Sequence, residues 1–280
     1  MDMHYQKTSV DTASAPPRIL PGAIDPSPWL PGHEQRQETL PLLFCFSYAG
    51  GTGELYRQWQ RPLQQSCRVC PVELPGRGSR FGEPFAKSIP EAAASIAAAI
   101  GPYSHARYAL FGHSLGSVIA LETARALQRG NMPMPAAIVV SGRFPPHAQA
   151  TRKCFHTMPD AALLDEMRRL GGTPEEILNS KEIIEMLLPV VRDDFRLLET
   201  FDSPQLPRVD APVHVCCGRD DEDSPVALLE RWEEVTSASC SITLFEGGHF
   251  YINESRDALL RHIEAVMRDV GGHRAPNRSL

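Results

Sequence analysis

One serine in this chain stands where its hydroxyl would become a nucleophile. Ser114 is the centre of Gly112-His113-Ser114-Leu115-Gly116, behind the apolar run Tyr108–Phe111 and ahead of a helical pattern, Ser117–Arg129, that stops at Gly130. A serine on so sharp a strand-to-helix turn sits in a strained backbone region, and side chains two residues to either side would crowd it. Glycines at 112 and 116 remove that crowding. The same turn aims the first helical N–H groups, and the positive end of the helix dipole, at charge developing on an attacked carbonyl. The chemistry implied is acyl transfer through Ser114. Chance alone places a Gly-x-Ser-x-Gly pattern in roughly one chain of ten, so the weight rests on the strand before it and the helix after it.

A hydroxyl is a weak nucleophile until a base takes its proton. On this kind of turn the partners follow in the order serine, acid, histidine, so the base must come after a late strand. His249 does: it lies behind the run Ser241–Phe245, and Gly247 and Gly248 let its imidazole swing over the sheet edge. His262 falls on a helical pattern, His273 in a polar tail, His214 inside a strand run and His113 within the turn itself. The acid should close the preceding run, Val213–Cys217. The loop behind that run offers Asp220, Asp221, Glu222 and Asp223, and spacing alone does not choose among them. For the oxyanion, the loop Phe46–Gly51 ends in paired glycines that let backbone approach a substrate. The N–H groups of Ala49 and Leu115 are the expected donors, and losing one such donor costs about a hundred- to a thousandfold in rate.

Positioning these groups takes a parallel sheet. Apolar runs at Leu42–Phe46, Val69–Leu74, Tyr108–Phe111, Ala137–Ser141, Val213–Cys217 and Ser241–Phe245 alternate with helical patterns at Pro90–Ile100, Ser117–Arg129, Val226–Val235 and Arg256–Val270. That alternation predicts an α/β fold, its mostly parallel sheet covered by helices on both faces. Between Pro145 and Pro207 only helical patterns remain, at Asp160–Leu170, Pro174–Leu178 and Lys181–Phe201. A helical lid spanning 146–207 is expected, inserted into a core made of 40–145 and 208–270. Residues 1–39, rich in proline and polar side chains without a sustained period, read as a flexible extension, and 271–280 as a polar tail.

The 280 residues are 42% hydrophobic, enough for one large domain or a core with an insert. A formal charge of −6 argues against a general nucleic-acid binder, which needs basic excess to neutralise phosphates. No run approaches the roughly 18 apolar residues of a membrane span, and Met1–Leu30 lacks the apolar centre of a signal peptide; a cytoplasmic protein, away from membranes, is expected. Seven cysteines, an odd number, fit reduced thiols better than a disulfide framework. Cys67 and Cys70 have CxxC spacing but no second pair at zinc-ligand distance, so no metal is implied.

With these residues in place the chain resembles the type II thioesterases, the discrete editing enzymes of nonribosomal peptide and polyketide synthases, which have the α/β-hydrolase fold. The resemblance runs from about Leu42 to Asn253. It is carried by the order of several segments: Phe46–Gly51, Glu73–Gly78, Ala109–Gly116, Ser141–Arg143 with Pro145–His147, Arg169–Thr173, Leu187–Phe195 with Leu197–Glu199, and Gly247–His249. The family carries proline where this chain has Ser47, a change that removes no backbone donor. Its acid follows a glycine with two residues between, which matches Gly218 and Asp221 and favours Asp221 over Asp220. The resemblance implies a substrate presented as an acyl or aminoacyl thioester on the phosphopantetheine arm of a carrier domain, an arm entering between lid and core, and no bound cofactor. The expected partners are acyl or peptidyl carrier domains, and the protein is expected to be a monomer. Candidates for substrate contact are Tyr48, Phe155, Met158 and Phe250, with Leu163, Leu164 and Met167 as further apolar lid positions. Arg57, Arg77 and Arg80 are candidates to face an acidic carrier or the arm's phosphate. A general carboxylesterase, an acyltransferase or a non-catalytic carrier-binding module are the alternatives on the same fold.

Overall fold

The computed structural model describes residues 27–33, 39–148, 154–203 and 207–272. Most of the expected N-terminal extension (1–26 and 34–38) and the tail from 273 lie outside the described residues.

The apolar runs form six strands: β1 Leu42–Phe46, β2 Arg68–Val72, β3 Tyr108–His113, β4 Ala137–Ser141, β5 Val213–Gly218 and β6 Cys240–Phe245. They make one sheet in the order β2-β1-β3-β4-β5-β6, every neighbouring pair parallel. Strands buried on both faces need apolar residues at successive positions, and β1 and β4 are buried at every residue. Leu42, Phe44 and Phe46 point into one core layer, and Leu43 and Cys45 into the other.

Helices connect the strands. α1 Glu54–Arg57 and α2 Gln60–Leu63 precede β2, α3 Ile89–Ile100 precedes β3, and α4 Leu115–Arg129 precedes β4. α5 Asp160–Leu170, α6 Glu175–Leu178 and α7 Lys181–Thr200 fill the interval between β4 and β5. α8 Val226–Leu229 precedes β6, and α9 Tyr251–Glu254 and α10 Arg256–Val270 follow it. α3 starts where Ser88 Oγ accepts the Glu91 N–H (3.3 Å), with Pro90 in the first turn, a side-chain cap plus a residue that needs no partner there. α3 and α4 bury Ile96, Leu121 and Leu127 against one face of the sheet, and α10 buries Leu259, Ile263 and Met267 against the other. Each such aliphatic chain contributes about 1.5–3 kcal/mol. The lid helices have a small core of their own, built on Leu163, Met167, Leu178, Leu188 and Val191.

Two expectations are corrected. Val226–Val235 is not one helix: α8 ends at Leu229 and the chain tightens into a 3-10 turn over Glu230–Glu234. That winding accompanies full burial of Trp232, whose indole N–H donates to Arg143 O at 2.9 Å. Within the expected extension, residues 27–33 are packed. Leu30 is fully buried, the Glu73 N–H just beyond β2 donates to Trp29 O (3.0 Å), Arg80 lies over the Trp29 ring at 4.2 Å, and Tyr103 Oη donates to His33 O. Proline-rich composition signals the missing helix or strand but not whether the scattered apolar side chains find a surface. Among the described residues no helix is long and apolar enough to cross a membrane.

Candidate active site

The turn between β3 and α4 puts Ser114 at φ 53°, ψ −114°, a region that side-chain-bearing residues rarely occupy and that costs on the order of 1–3 kcal/mol. The flanking glycines are required by contact. A Cβ on Gly112 would stand 2.1 Å from Gly116 O, and one on Gly116 would stand 2.2 Å from Phe46 O. The turn is held from below: Ser114 N–H donates to Ser141 O (2.8 Å), and Ser117 Oγ accepts from Ser141 N–H (2.9 Å) while lying 2.8 Å from Gly112 O. Ser114 N–H is thereby engaged by the end of β4. The next N–H, that of Leu115, opens α4, where helical geometry supplies no partner.

His249 follows β6 in a loop shaped by Gly247 and Gly248. Its Nδ1 lies 2.9 Å from Asp221 Oδ2, and the two side chains are 11% and 0% exposed. Asp221 Oδ1 also accepts the Asp223 N–H at 3.1 Å. Asp220, the other candidate acid, is exposed. The structure therefore brings Asp221, not Asp220, to the imidazole. Gly218 makes this approach possible, since a Cβ there would lie 2.2 Å from Gly248 O. His113 packs behind, its ring 5.1 Å from that of His249 and its Nδ1 2.9 Å from Ser141 Oγ. Burial, with the nearby His249, holds its pKa well below the usual histidine range, so it stays neutral and shapes the turn.

Ser114 and His249 open on one cavity of about 190 Å³. Tyr48, Phe155 and Phe250 line it as expected, together with Met167 from α5. Met158 does not: it is half-buried, and its carbonyl accepts from Arg192 at 2.6 Å, which turns the residue into a lid tie. Leu163 and Leu164 pack the lid's own core. A second cavity, about 390 Å³, runs along the outside between lid and core and shares with the first the wall formed by Tyr48, Ala49, Gly172, Thr173 and Val191. Its rim carries Phe81, Ile183 and Met186, three of the exposed large apolar side chains.

The three arginines expected to face a partner are engaged within the chain. Arg77 is 4% exposed and bonded to Asp194; Arg80 bonds Glu83 and Glu73 O; Arg57 pairs with Glu54 and donates to Pro31 O. Sequence reading missed Arg143, which lines the inner cavity with its Nε buried and without a partner. Burial lowers its pKa to about 10, so it remains a cation at neutral pH. It also missed Asp194. A signal was present: in α7, Val190 and Val191, then Asp194, then Leu197 and Leu198 share one buried face at helical spacing, and a carboxylate in that register must have a buried partner.

A serine on a strand-to-helix turn at the carboxyl ends of parallel strands, with a histidine and a buried aspartate beside it, is the arrangement of the α/β-hydrolase fold. The chain belongs to the thioesterase domain family, whose model matches residues 41–267. It is therefore a hydrolase acting on thioesters, and the resemblance to type II thioesterases is borne out. Among curated relatives, it is 36% identical over 248 residues to the linear gramicidin dehydrogenase LgrE of Brevibacillus parabrevis, covering 88% of this chain and 94% of that one. It is 33% identical to the thioesterase PikA5 of Streptomyces venezuelae, over 82% of each chain. Among solved structures, the type II thioesterase BorB from the borrelidin biosynthetic cluster matches with a TM-score of 0.76 at 34% identity, covering 83% of this chain and 94% of that one. The first of these proteins carries a dehydrogenase's name and the other two a thioesterase's; the family match and the serine-centred site agree with the latter.

Proposed function

We propose that Ser114, His249 and Asp221 are the catalytic triad of a type II thioesterase that clears misloaded or stalled carrier domains of a nonribosomal peptide or polyketide synthase. The single observation that supports the triad most is the cavity onto which both Ser114 and His249 open, with Asp221 buried behind the imidazole. Ser114 Oγ attacks the thioester carbonyl carbon and its proton passes to His249. The N–H groups of Ala49 and Leu115 receive the oxyanion, and Asp221 orients the imidazole and stabilises the imidazolium without taking the proton. The C–S bond breaks, and the leaving thiolate takes the proton from His249. Water then attacks the acyl-serine, giving a proton to His249; the acyl C–O bond to Ser114 breaks, the carboxylic acid departs, and the proton returns to Ser114 Oγ.

The inner cavity holds the acyl group. The outer cavity, open to solvent and reaching Ala49, suits the phosphopantetheine arm of a carrier domain bound at its apolar rim. No cofactor is needed beyond that arm, and the protein acts as a cytoplasmic monomer. The test is hydrolysis of carriers loaded with acetyl, longer acyl and aminoacyl groups. Ser114→Ala is expected to abolish release, and Asp221→Asn to lower kcat by about 10⁴-fold, the scale set by triad acids. An Asp220→Asn variant that loses more than Asp221→Asn would reassign the acid. Simple esters cleaved better than carrier thioesters of the same acyl group would favour a general esterase, and acyl transfer to an added amine an acyltransferase.

A further inference from the structure

The proposed oxyanion donor Ala49 lies in a turn whose shape is set from the lid. Tyr48–Gly51 is closed by Gly51 N–H donating to Tyr48 O (2.9 Å), and Gly50, its third residue, has φ +77°, as in a type II turn. The Tyr48–Ala49 peptide, which carries the donor, is thus fixed through its carbonyl. The following peptide, Ala49–Gly50, is the one that flips between turn types, and its N–H donates to Asp194 Oδ2 at 2.7 Å. Asp194 sits on α7, 144 residues away, with its side chain fully buried.

Asp194 is itself held. Arg77 Nη1 donates to Oδ2 at 2.5 Å and Nη2 to Oδ1 at 2.6 Å, a two-pronged charge-assisted bond that fixes both distance and plane of the carboxylate. The side chains are 3% and 0% exposed, so solvent does not screen the pair. Contact adds to charge: Val191, one helical turn before Asp194, lies so close that a Cβ on Gly50 would come within 2.6 Å of its Cγ2. Three stretches distant in sequence, the turn at 48–51, the loop at Arg77 and helix α7, therefore meet at one carboxylate.

We infer that Asp194, clamped by Arg77, is a positioning residue for the oxyanion hole: it holds the Ala49–Gly50 peptide so that the Ala49 N–H is aimed only while α7 is seated on the core. This rests on the assignment of Ala49 as a donor under the triad reading. An asparagine at 194 keeps the shape, but its NH2 replaces the oxygen that accepts from Arg77 Nη2, setting donor against donor, and it carries no charge, so the clamp that holds its remaining oxygen on Gly50 N–H is broken. The turn then loosens without any loss of the acyl-binding walls.

The experiment compares wild type with Asp194→Asn and Arg77→Lys. It uses a butyryl thioester of N-acetylcysteamine, a trifluoromethyl ketone that forms a tetrahedral oxyanion on Ser114, and the unreactive amide of the same acyl chain. Asp194→Asn is expected to lose on the order of a hundredfold in kcat and a similar factor in ketone affinity, with KM and amide affinity nearly unchanged. Arg77→Lys, which keeps the charge but not the second prong, should fall between the two. Ketone and amide affinities that weaken together, or a kcat within threefold of wild type, would overturn the inference. If Asp194→Asn does not fold, Arg77→Lys reads the same ratio of ketone to amide affinity. Should Ser114→Ala still hydrolyse the thioester, the triad reading fails; if that control is inactive while Asp194→Asn matches wild type, the positioning role alone fails.

Discussion

Among the described residues two arginine–aspartate pairs join lid to core, and they differ in their exposure. Arg77–Asp194 ties α7 to the core with side chains 3% and 0% exposed, whereas Arg169–Asp223 ties α5 to the loop after β5 with side chains 40% and 31% exposed. Breaking a buried pair by removing one partner costs about 3–5 kcal/mol, because a bare charge is left out of water. An exposed pair contributes at most about 1 kcal/mol. The helices follow the same division. α7 buries Leu188, Val190, Val191, Leu197 and Leu198, while α5 buries only Leu163 and Met167. The contrast predicts a fixed wall, α7, and a hinged one, α5 with α6, which rests on the exposed pair, on Gly172 pressed against Phe250 and on the small apolar cluster it shares with Leu188 and Val191 of α7.

The largest effect should come from the fixed wall. Arg77→Met leaves the Asp194 carboxylate buried without its cation, and urea unfolding is expected to show a loss of about 3–5 kcal/mol; a loss below 1 kcal/mol would place this pair with the exposed one.

Acid should act on the core side of the same divide. His33 is held at about pH 4 by burial and by Arg68, and His113 well below its ordinary value, by burial and then by His249. An unfolded histidine takes up its proton near pH 6.5, and the folded ones do so only at lower pH. Their stabilisation is therefore complete above about 6.5 and is lost as pH falls toward the folded values, at up to about 1.4 kcal/mol per pH unit for each. Urea midpoints between pH 7 and 5 should fall accordingly, and His113→Gln should make the slope shallower by about one proton. A flat profile would show that these rings titrate normally.

The smallest effect belongs to the hinged wall. Arg169→Gln should leave global stability within about 1 kcal/mol yet speed amide hydrogen exchange across residues 160–178, leaving 181–200 unchanged. Salt at 1 M, where the screening length falls to about 3 Å, should reproduce that pattern in the wild type. Equal acceleration of both stretches would mean that the lid moves as one body.

How much of this could be read from the chain depended on range. Strands buried on both faces announce themselves as unbroken apolar runs, so β1 and β4 were bounded to the residue. The turn at Ser114 was legible because steric exclusion acts within five residues and leaves glycines behind. Asp221 could not be told from Asp220 by spacing, since four carboxylates share that loop and burial, a property of the fold, separates them. Arg77 was misread as facing a partner for the same reason: its aspartate lies 117 residues on. Met158 was misread because apolar character does not say which side of a lid a residue faces.

The backbone at Ser114 has a consequence of another kind. Its φ of 53° is one that glycine adopts without penalty and serine does not. Glycine at 114 would relax the turn while removing the hydroxyl, so under the triad proposed above the fold is held slightly below its own optimum at the position of its nucleophile. A copy of this gene freed from any requirement to hydrolyse thioesters could substitute glycine there and become the sturdier protein.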